Sequence, residues 1–290
     1  MHRFDYYTPG TVAETIDLLN TKGEGGKILA GGTDLLPQMK ERGRHPKYLV
    51  SLKNVKDIQQ LSFQPAQGLK VGAGTRFRLL QQNASVREQY PIIVDTAKMI
   101  GSLQTQALAT IGGNVCNAAP SADAVPAFIV LDAEAVVQGA KGERTLALKD
   151  MFRGPGQTAL TGDEVLTELR LPAPLPRSAG VYIRHVPRKE LDIAIAGAGV
   201  YIQLDEAKQR ITHARVCLAS VAPVPMRGTQ TEAALVGQTV SEELFQHAGD
   251  IAAGEAQPIS DQRGSAAFRK ALVKALTARS LDRAVNSIKS

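Results

Sequence analysis

The sequence predicts an α+β chain: two small αβ units, then a C-terminal domain in which a run of strands precedes a run of helices. Three observations predict it. In the first unit an apolar strand enters a Gly-Gly pair and is followed by a helix and a second strand. The segment Leu171-Pro172-Ala173-Pro174-Leu175-Pro176 is a rigid punctuation point. Three long strand-like runs and then three helical ones come after it, the segregated order of an α+β domain. The expected divisions are 1–54, 55–176 and 177–290.

The elements follow in order. Thr8-Pro9-Gly10 breaks the chain, and Thr11 with Glu14 forms a capping box. Val12, Ile16 and Leu19 share one helical face, so 11–20 is a helix that ends near Gly23. Lys27 to Ala30 reads as a short buried strand. Asp34 is placed to cap the next helix, with Pro37 tolerated in its first turn. Tyr48 to Leu52 is the strand that completes the unit. The second unit begins near Val55, with a strand over 69–73 and helices over 78–83 and 92–100. A helix over 124–131 and strands over 134–138, 143–148 and 164–171 follow. Beyond the prolines the strand-like runs are 180–187, 193–204 and 211–221, and the helices 229–236, 241–253 and 265–285.

Two glycine pairs, about eighty residues apart, carry the functional signal. One is Ile28-Leu29-Ala30-Gly31-Gly32-Thr33-Asp34-Leu35-Leu36-Pro37, the other Ala109-Thr110-Ile111-Gly112-Gly113-Asn114-Val115-Cys116-Asn117-Ala118. Each reads as a turn stripped of side chains, where backbone N–H groups can approach an anion beside a hydroxyl, Thr33 or Thr110. A pair of such turns suits a ligand with two phosphates, a dinucleotide. Taken alone, either pair reads equally well as a tight hairpin. Neither contains Gly-x-Gly-x-x-Gly or the Gly-Lys-Ser/Thr ending of a P-loop. Gly197-x-Gly199 comes nearest but sits in an apolar strand run, where it serves close sheet packing.

Composition narrows the classes. The chain has 290 residues, 43% hydrophobic and 21% charged, with a net charge of +6, enough length for a substantial core and a balance that suits an anionic ligand. Basic runs interleaved with aromatics are absent, as is Trp, which argues against nucleic acid. No stretch approaches the roughly 20 apolar residues of a membrane span, and the N-terminus lacks a signal-peptide apolar region, so a cytoplasmic location is expected. Cys116 and Cys217 cannot hold a cluster or zinc alone, and His2, His45, His185, His213 and His247 show no metal spacing. The chain is expected to bring no metal of its own and to use no nucleophile or acid–base pair.

Together the two glycine segments resemble the FAD-binding signatures of the flavoprotein subunit of molybdenum hydroxylases, the family of carbon monoxide, xanthine and quinoline-type dehydrogenases and 4-hydroxybenzoyl-CoA reductase. The resemblance continues through Pro120-Ser121-Ala122-Asp123-Ala124-Val125-Pro126-Ala127 and Leu131-Asp132-Ala133. It recurs at Arg188-Lys189-Glu190-Leu191-Asp192-Ile193-Ala194 and at Asp261-Gln262-Arg263-Gly264-Ser265-Ala266-Ala267-Phe268-Arg269, in family order over nearly the whole chain. It implies a vanillyl-alcohol-oxidase-type FAD fold: two N-terminal αβ subdomains clasping FAD, plus a C-terminal domain of a three-stranded antiparallel sheet with helices. It implies that Leu29, Ala30, Gly31, Gly32, Thr33, Asp34, Leu35 and Leu36 wrap the pyrophosphate from one side. Thr110, Ile111, Gly112, Gly113 and Asn114 would meet it from the other, the glycines through backbone N–H and Asn114 through its amide. Ile100, Asp123, Leu166, Arg184, Asp192 and Ile193 complete the implied FAD contacts.

Several of these residues also have a plainer reading. Asp123 also suits the N-cap of the 124–131 helix. Leu166 and Ile193 also suit ordinary core and inward strand positions, and Tyr182 ordinary packing. A cation from Arg184, Arg188 or Lys189 would stabilise anionic reduced flavin, yet strand alternation puts Arg184 and Arg188 on one face that solvent could equally hold. Ile193, where some members carry Tyr, would leave one flavin face open to a second reactant such as NAD. The cysteine-rich insertion of the reductase branch is missing after Cys116, which reads as a small residue in a tight loop.

The resemblance implies the FAD-carrying subunit of a heteromeric molybdenum-dependent hydroxylase or dehydrogenase. Electrons would come from a [2Fe-2S] small subunit, with molybdopterin on a large subunit, in a dimer of heterotrimers. They would leave to a soluble acceptor: NAD, oxygen or a quinone. The alternatives are a free-standing FAD-dependent oxidoreductase of the same fold and a cofactor-free assembly scaffold.

Overall fold

A computed structural model describes residues 2–188 and 191–290. The first unit is a parallel three-stranded sheet of β1 (Asp5–Tyr7), β2 (Gly26–Leu29) and β3 (Tyr48–Ser51), with β3 central. Helices α1 (Val12–Lys22) and α2 (Leu35–Glu41) make the connections. Thr11 caps α1, its hydroxyl accepting the Glu14 N–H at 3.1 Å, while the Glu14 carboxylate reaches back to the Gly10 N–H at 2.7 Å. Val12, Ile16 and Leu19 are buried against Tyr48 and Val50 as the 3.6-residue period requires. Thr11→Ala is expected to cost about 1 kcal/mol, read as a lower urea midpoint with an unchanged slope. Strand β2 is half-buried rather than fully buried.

The second unit centres on an antiparallel sheet of five strands in the order β4 (Leu61–Gln64), β5 (Gly68–Gly72), β10 (Val165–Leu171), β6 (Glu134–Gly139) and β7 (Gly142–Ala147). Small strands β8 (Phe152–Gly154) and β9 (Gln157–Thr158) form a separate pair. Six helices belong to this unit: α3 (Phe77–Gln82), α4 (Ala84–Gln89), α5 (Pro91–Lys98), α6 (Leu103–Leu108), α7 (Ile111–Asn117) and α8 (Val125–Val130). All of α8 is buried, in a cluster with Phe77, Tyr90, Ile92 and Tyr182.

The C-terminal sheet has four strands, not three: β11 (Ser178–His185), β12 (Ala196–Leu204), β13 (Ile211–Ala219) and β14 (Met226–Arg227), all antiparallel. The fourth is two residues long and pairs with Cys217 and Leu218. Helices α9 (Thr229–Leu235), α10 (Glu242–Glu255) and α11 (Ala266–Lys289) cover one face. The other face meets α8, so Val181 and Ile183 pack toward α11 while Tyr182 enters the core of the second unit. Gly197 makes room for the Tyr182 ring, since a Cβ there would lie 2.4 Å from its hydroxyl.

Local readings are corrected by this arrangement. The Thr110–Asn114 segment is the start of helix α7, not a free turn, because Thr110 caps it and Ile111 and Gly112 bond the strand side of Thr75 and Ala73. Cys116 is therefore an exposed helical residue. Asp34 stands at the N-cap of α2 but makes no side-chain cap bond. Helix α8 starts from Ala124 without a side-chain cap, so Asp123 is not its capping residue. Strand β12 begins at Ala196 and leaves Ile193 outside the sheet, 45% exposed. Strand β11 ends at His185, so Arg188 does not share a strand face with Arg184.

Candidate functional site

The two glycine segments are brought into contact. A Cβ on Gly31 would lie 2.3 Å from the Leu108 carbonyl oxygen and 2.8 Å from the Ala109 Cα, so backbone packs on backbone there. A Cβ on Gly113 would stand 3.6 Å from the Ala30 Cβ. Bare glycine thus lets the two segments approach to contact.

Their N–H groups differ. Those of Gly31, Gly32, Thr33 and Asp34 donate to no acceptor among the described residues. Gly32 holds φ at +74°, a left-handed turn that glycine adopts without strain. Leu35 and Leu36 follow half-buried in the first turn of α2. Burial lifts the Asp34 carboxyl above its ordinary value, with Arg42 opposing the rise.

In the second segment the N–H groups are spent inside the chain. Ile111 N donates to Thr75 O at 3.0 Å, Gly112 N to Ala73 O at 2.8 Å and Gly113 N to the Thr110 hydroxyl at 3.1 Å. The expectation that Gly112 and Gly113 offer free N–H groups is therefore corrected. Gly112 is a packing residue, since a Cβ would lie 2.6 Å from Ala73. What this segment leaves available is Asn114, whose side-chain Oδ1 is buried without a hydrogen-bond partner. A buried polar atom left unpaired costs about 1–3 kcal/mol, so it marks a place where a ligand group would fit. Rotating the amide by half a turn presents donors in the same position.

A buried ionic group lies farther along. Asp123 accepts a hydrogen bond from the Tyr182 hydroxyl at 3.1 Å and a charged one from Arg184. Both side chains of the ion pair are about nine-tenths buried. Burial pushes the Asp123 carboxyl up to about 6, against the pull of Arg184 and of Tyr182. Burial also raises the Tyr182 phenol, and the neighbouring carboxylate adds to this. An Asp from the second unit and two residues of β11 thereby join the two halves of the protein.

Tyr182 and Arg184 line a cleft of about 760 Å³ together with Lys98, Met99, Val186 and Leu191. Ile100, between two cleft-lining neighbours, is half-buried. Asp192 accepts the Ile193 N–H at 2.9 Å and pairs with Arg188 at 3.2 Å on the surface. Lys189 lies outside the described residues, as does Glu190. Leu166 is buried in β10 beside a bulge that shifts the register before Glu168. The site residues therefore fall in three groups: the paired glycine segments, the Asp123–Arg184 pair with its cleft, and Leu166 in the sheet. No group of three or more His, Cys, Asp or Glu with metal-holding geometry occurs among the described residues.

Sequence reasoning missed Tyr182 as the partner of Asp123, and it missed Lys98 and Met99 beside the cleft. The Gly197-x-Gly199 pair was the available signal for the first, since its missing side chains admit the Tyr182 ring.

Comparison with known proteins matches residues 2–174 to the family described as the FAD binding domain in molybdopterin dehydrogenase. Residues 181–284 match the CO dehydrogenase flavoprotein C-terminal domain. The carbon monoxide dehydrogenase medium chain of Hydrogenophaga pseudoflava is 30% identical over 282 residues, 97% of each chain. The nicotinate dehydrogenase FAD-subunit of Eubacterium barkeri is 28% identical over 278 residues, covering 94% of this chain and 93% of that one. A solved structure of the Hydrogenophaga pseudoflava carbon monoxide dehydrogenase superposes with a TM-score of 0.94 at 31% identity, covering 98% of this chain and 97% of that one.

Proposed function

The chain belongs to the family of the FAD binding domain in molybdopterin dehydrogenase, and from that premise we propose that it is the FAD-carrying electron-transfer subunit of a heteromeric molybdenum-dependent hydroxylase or dehydrogenase. Its fold is then of the vanillyl-alcohol-oxidase type, with subdomains 1–54 and 55–176 around FAD and 177–290 as the C-terminal domain. The partners are a [2Fe-2S] small subunit and a molybdopterin large subunit in a dimer of heterotrimers. A soluble electron acceptor completes the system. Among the described residues no helix is long and apolar enough to cross a membrane.

One observation carries the reading: two glycine segments about eighty residues apart abut, with unpaired N–H groups on one and an unpaired amide on the other. This suits a pyrophosphate. Preorganised backbone donors hold an anion without ordering long cationic side chains. In this reading Leu29 to Leu36 supply the donors and the first wall. Thr110 fixes the start of α7, Ile111 and Gly112 seat that helix on the Ala73–Thr75 segment just after β5, Gly113 lets it approach Ala30, and Asn114 supplies the amide. Ile100, Asp123, Leu166, Arg184, Asp192 and Ile193 surround the remainder of the cofactor. FAD, when bound, supplies the capacity to take up electrons and hand them on. The chain's own residues bind it, hold its charge environment through Arg184 and Asp123, and limit water around it.

Gly113→Val tests this. Its γ-carbons would fill the gap toward Ala30 and crowd the Thr110 hydroxyl, already 3.0 Å from a Cβ. The expected result is loss of FAD binding by at least about 100-fold, read by absorbance of the purified protein and by titration of the apo form. Full flavin content in the variant would sink the cradle. Flavin with iron–sulfur absorption and two co-purifying chains in the parent supports the subunit reading. Flavin on a single active chain would replace it with a free-standing oxidoreductase, and no flavin at all with a scaffold.

A further inference from the structure

The Asp261–Arg269 segment has no role in the site described above, yet its last residue bonds the carbonyls of Ile195 and Ser220, each close in the chain or by a hydrogen bond to a residue that lines or anchors the cleft. Arg269, in the first turn of α11, is 5% exposed. Its Nη1 donates to Ile195 O at 2.7 Å and to Ser220 O at 3.0 Å, and its Nη2 to the Asp261 carboxylate at 2.8 Å. Asp261 is itself fixed. It exchanges backbone hydrogen bonds with Gly264 at 3.1 and 3.2 Å and accepts the Arg263 N–H at 2.8 Å. The pair leaves the buried cation neutralised.

The two carbonyls lie at informative places. The chain leaves β11 at His185 and rejoins the sheet through Ile195, whose N–H donates to His185 O at 2.9 Å. Between them, Val186 and Leu191 line the cleft beside Arg184. Ser220, with φ at +63°, donates its N–H to Pro120 O at 2.9 Å. Three residues after Pro120 comes Asp123, the acceptor for Arg184. One guanidinium therefore ties the end of the Leu191–Ile195 segment and, through Ser220, the Pro120–Asp123 segment to the start of α11.

We infer that Arg269 is a positioning residue: it fixes the Leu191–Ile195 segment, which lines the cleft at Leu191, and the Pro120–Asp123 segment, whose Asp123 holds the cleft-lining Arg184, and so sets the surroundings of the flavin bound beside them. The second half of this rests on the FAD reading. The planar fork is what the geometry needs, because it holds two carbonyls and a carboxylate in fixed directions. A lysine, one point charge on a flexible stem, can replace part of that set.

Arg269→Met and Arg269→Lys in the purified full-length protein test it, by amide hydrogen exchange with and without FAD and by visible circular dichroism of the bound flavin. In Arg269→Met, exchange in 191–195 and 119–123 is expected to rise about tenfold or more. Exchange in 28–36 and 109–115 stays at parent level, FAD stoichiometry is kept and the flavin dichroism changes. Arg269→Lys restores both signals in part. A uniform rise over the whole chain with flavin lost in proportion would overturn the inference in favour of a purely structural residue. Parent-level exchange in both segments would overturn the clamp itself, and local loosening with unchanged dichroism would overturn its action on the flavin. If the parent takes up no FAD, the FAD reading fails separately while exchange in the flavin-free chain still decides the clamp.

Discussion

Asp123→Ala is expected to destabilise the protein by about 3–5 kcal/mol, seen as a large fall in denaturant midpoint. The variant leaves the Arg184 guanidinium buried without its carboxylate and the Tyr182 hydroxyl without its acceptor. The pH dependence follows from the same burial. The folded carboxyl titrates at about 6, whereas an unfolded one does so near 4. The folded state thus holds the proton more tightly. This group's contribution to stability is fully present below about pH 4 and is lost as pH rises through about 6. Over that window the parent is expected to lose up to roughly 3 kcal/mol relative to Asp123→Asn. Paired urea melts at steps of pH measure the difference directly. A parent that instead gains on the Asn variant with rising pH would mean that Arg184 outweighs desolvation.

Gly31→Ala is the second large effect. Its Cβ meets the Leu108 carbonyl and the Ala109 Cα, which are main-chain atoms and cannot swing aside as a side-chain tip would. The two segments must separate, and the space for the cofactor changes with them. FAD affinity is expected to fall by at least about 100-fold, equivalent to roughly 2.7 kcal/mol, with a lower melting temperature as well. Gly162→Ala is the control, since a Cβ there meets nothing within 4 Å. Flavin titration of both proteins settles the matter: equal affinities would remove Gly31 from the cradle.

Much of the architecture was legible because it rests on local patterns. The helix from Val12 and the long C-terminal helices have clear caps and a helical period, and the three main C-terminal strands are long strand-like runs. What stayed hidden depends on distant partners. Gly112 and Gly113 are poor helix formers, yet they sit in a helix whose first N–H groups, those of Ile111 and Gly112, are held by Thr75 and Ala73, far back in the chain. Met226 and Arg227 are too few to show alternation, and only pairing with β13 makes them a strand. Asp123 satisfies every local rule for a cap, but Arg184 and Tyr182, about sixty residues on, claim its oxygens instead. The candidate site residues were named from the resemblance, and it carries no information on the partners each of them makes. Which atoms remain free, Asn114 Oδ1 above all, is a property of the assembled chain.

The contact between Gly31 and Leu108 also has a polymer-physical side. Bringing together points about eighty residues apart costs about 4 kcal/mol of loop-closure entropy plus a constant. Neither half of the pair can repay that alone, so the contact between them forms only when the first sheet has docked on the second unit. A ligand held by both segments therefore binds the finished arrangement and not its parts, and its binding energy is added to the docking equilibrium. Fluorescence from such a ligand during refolding would time the late, long-range step of assembly rather than the early appearance of helices.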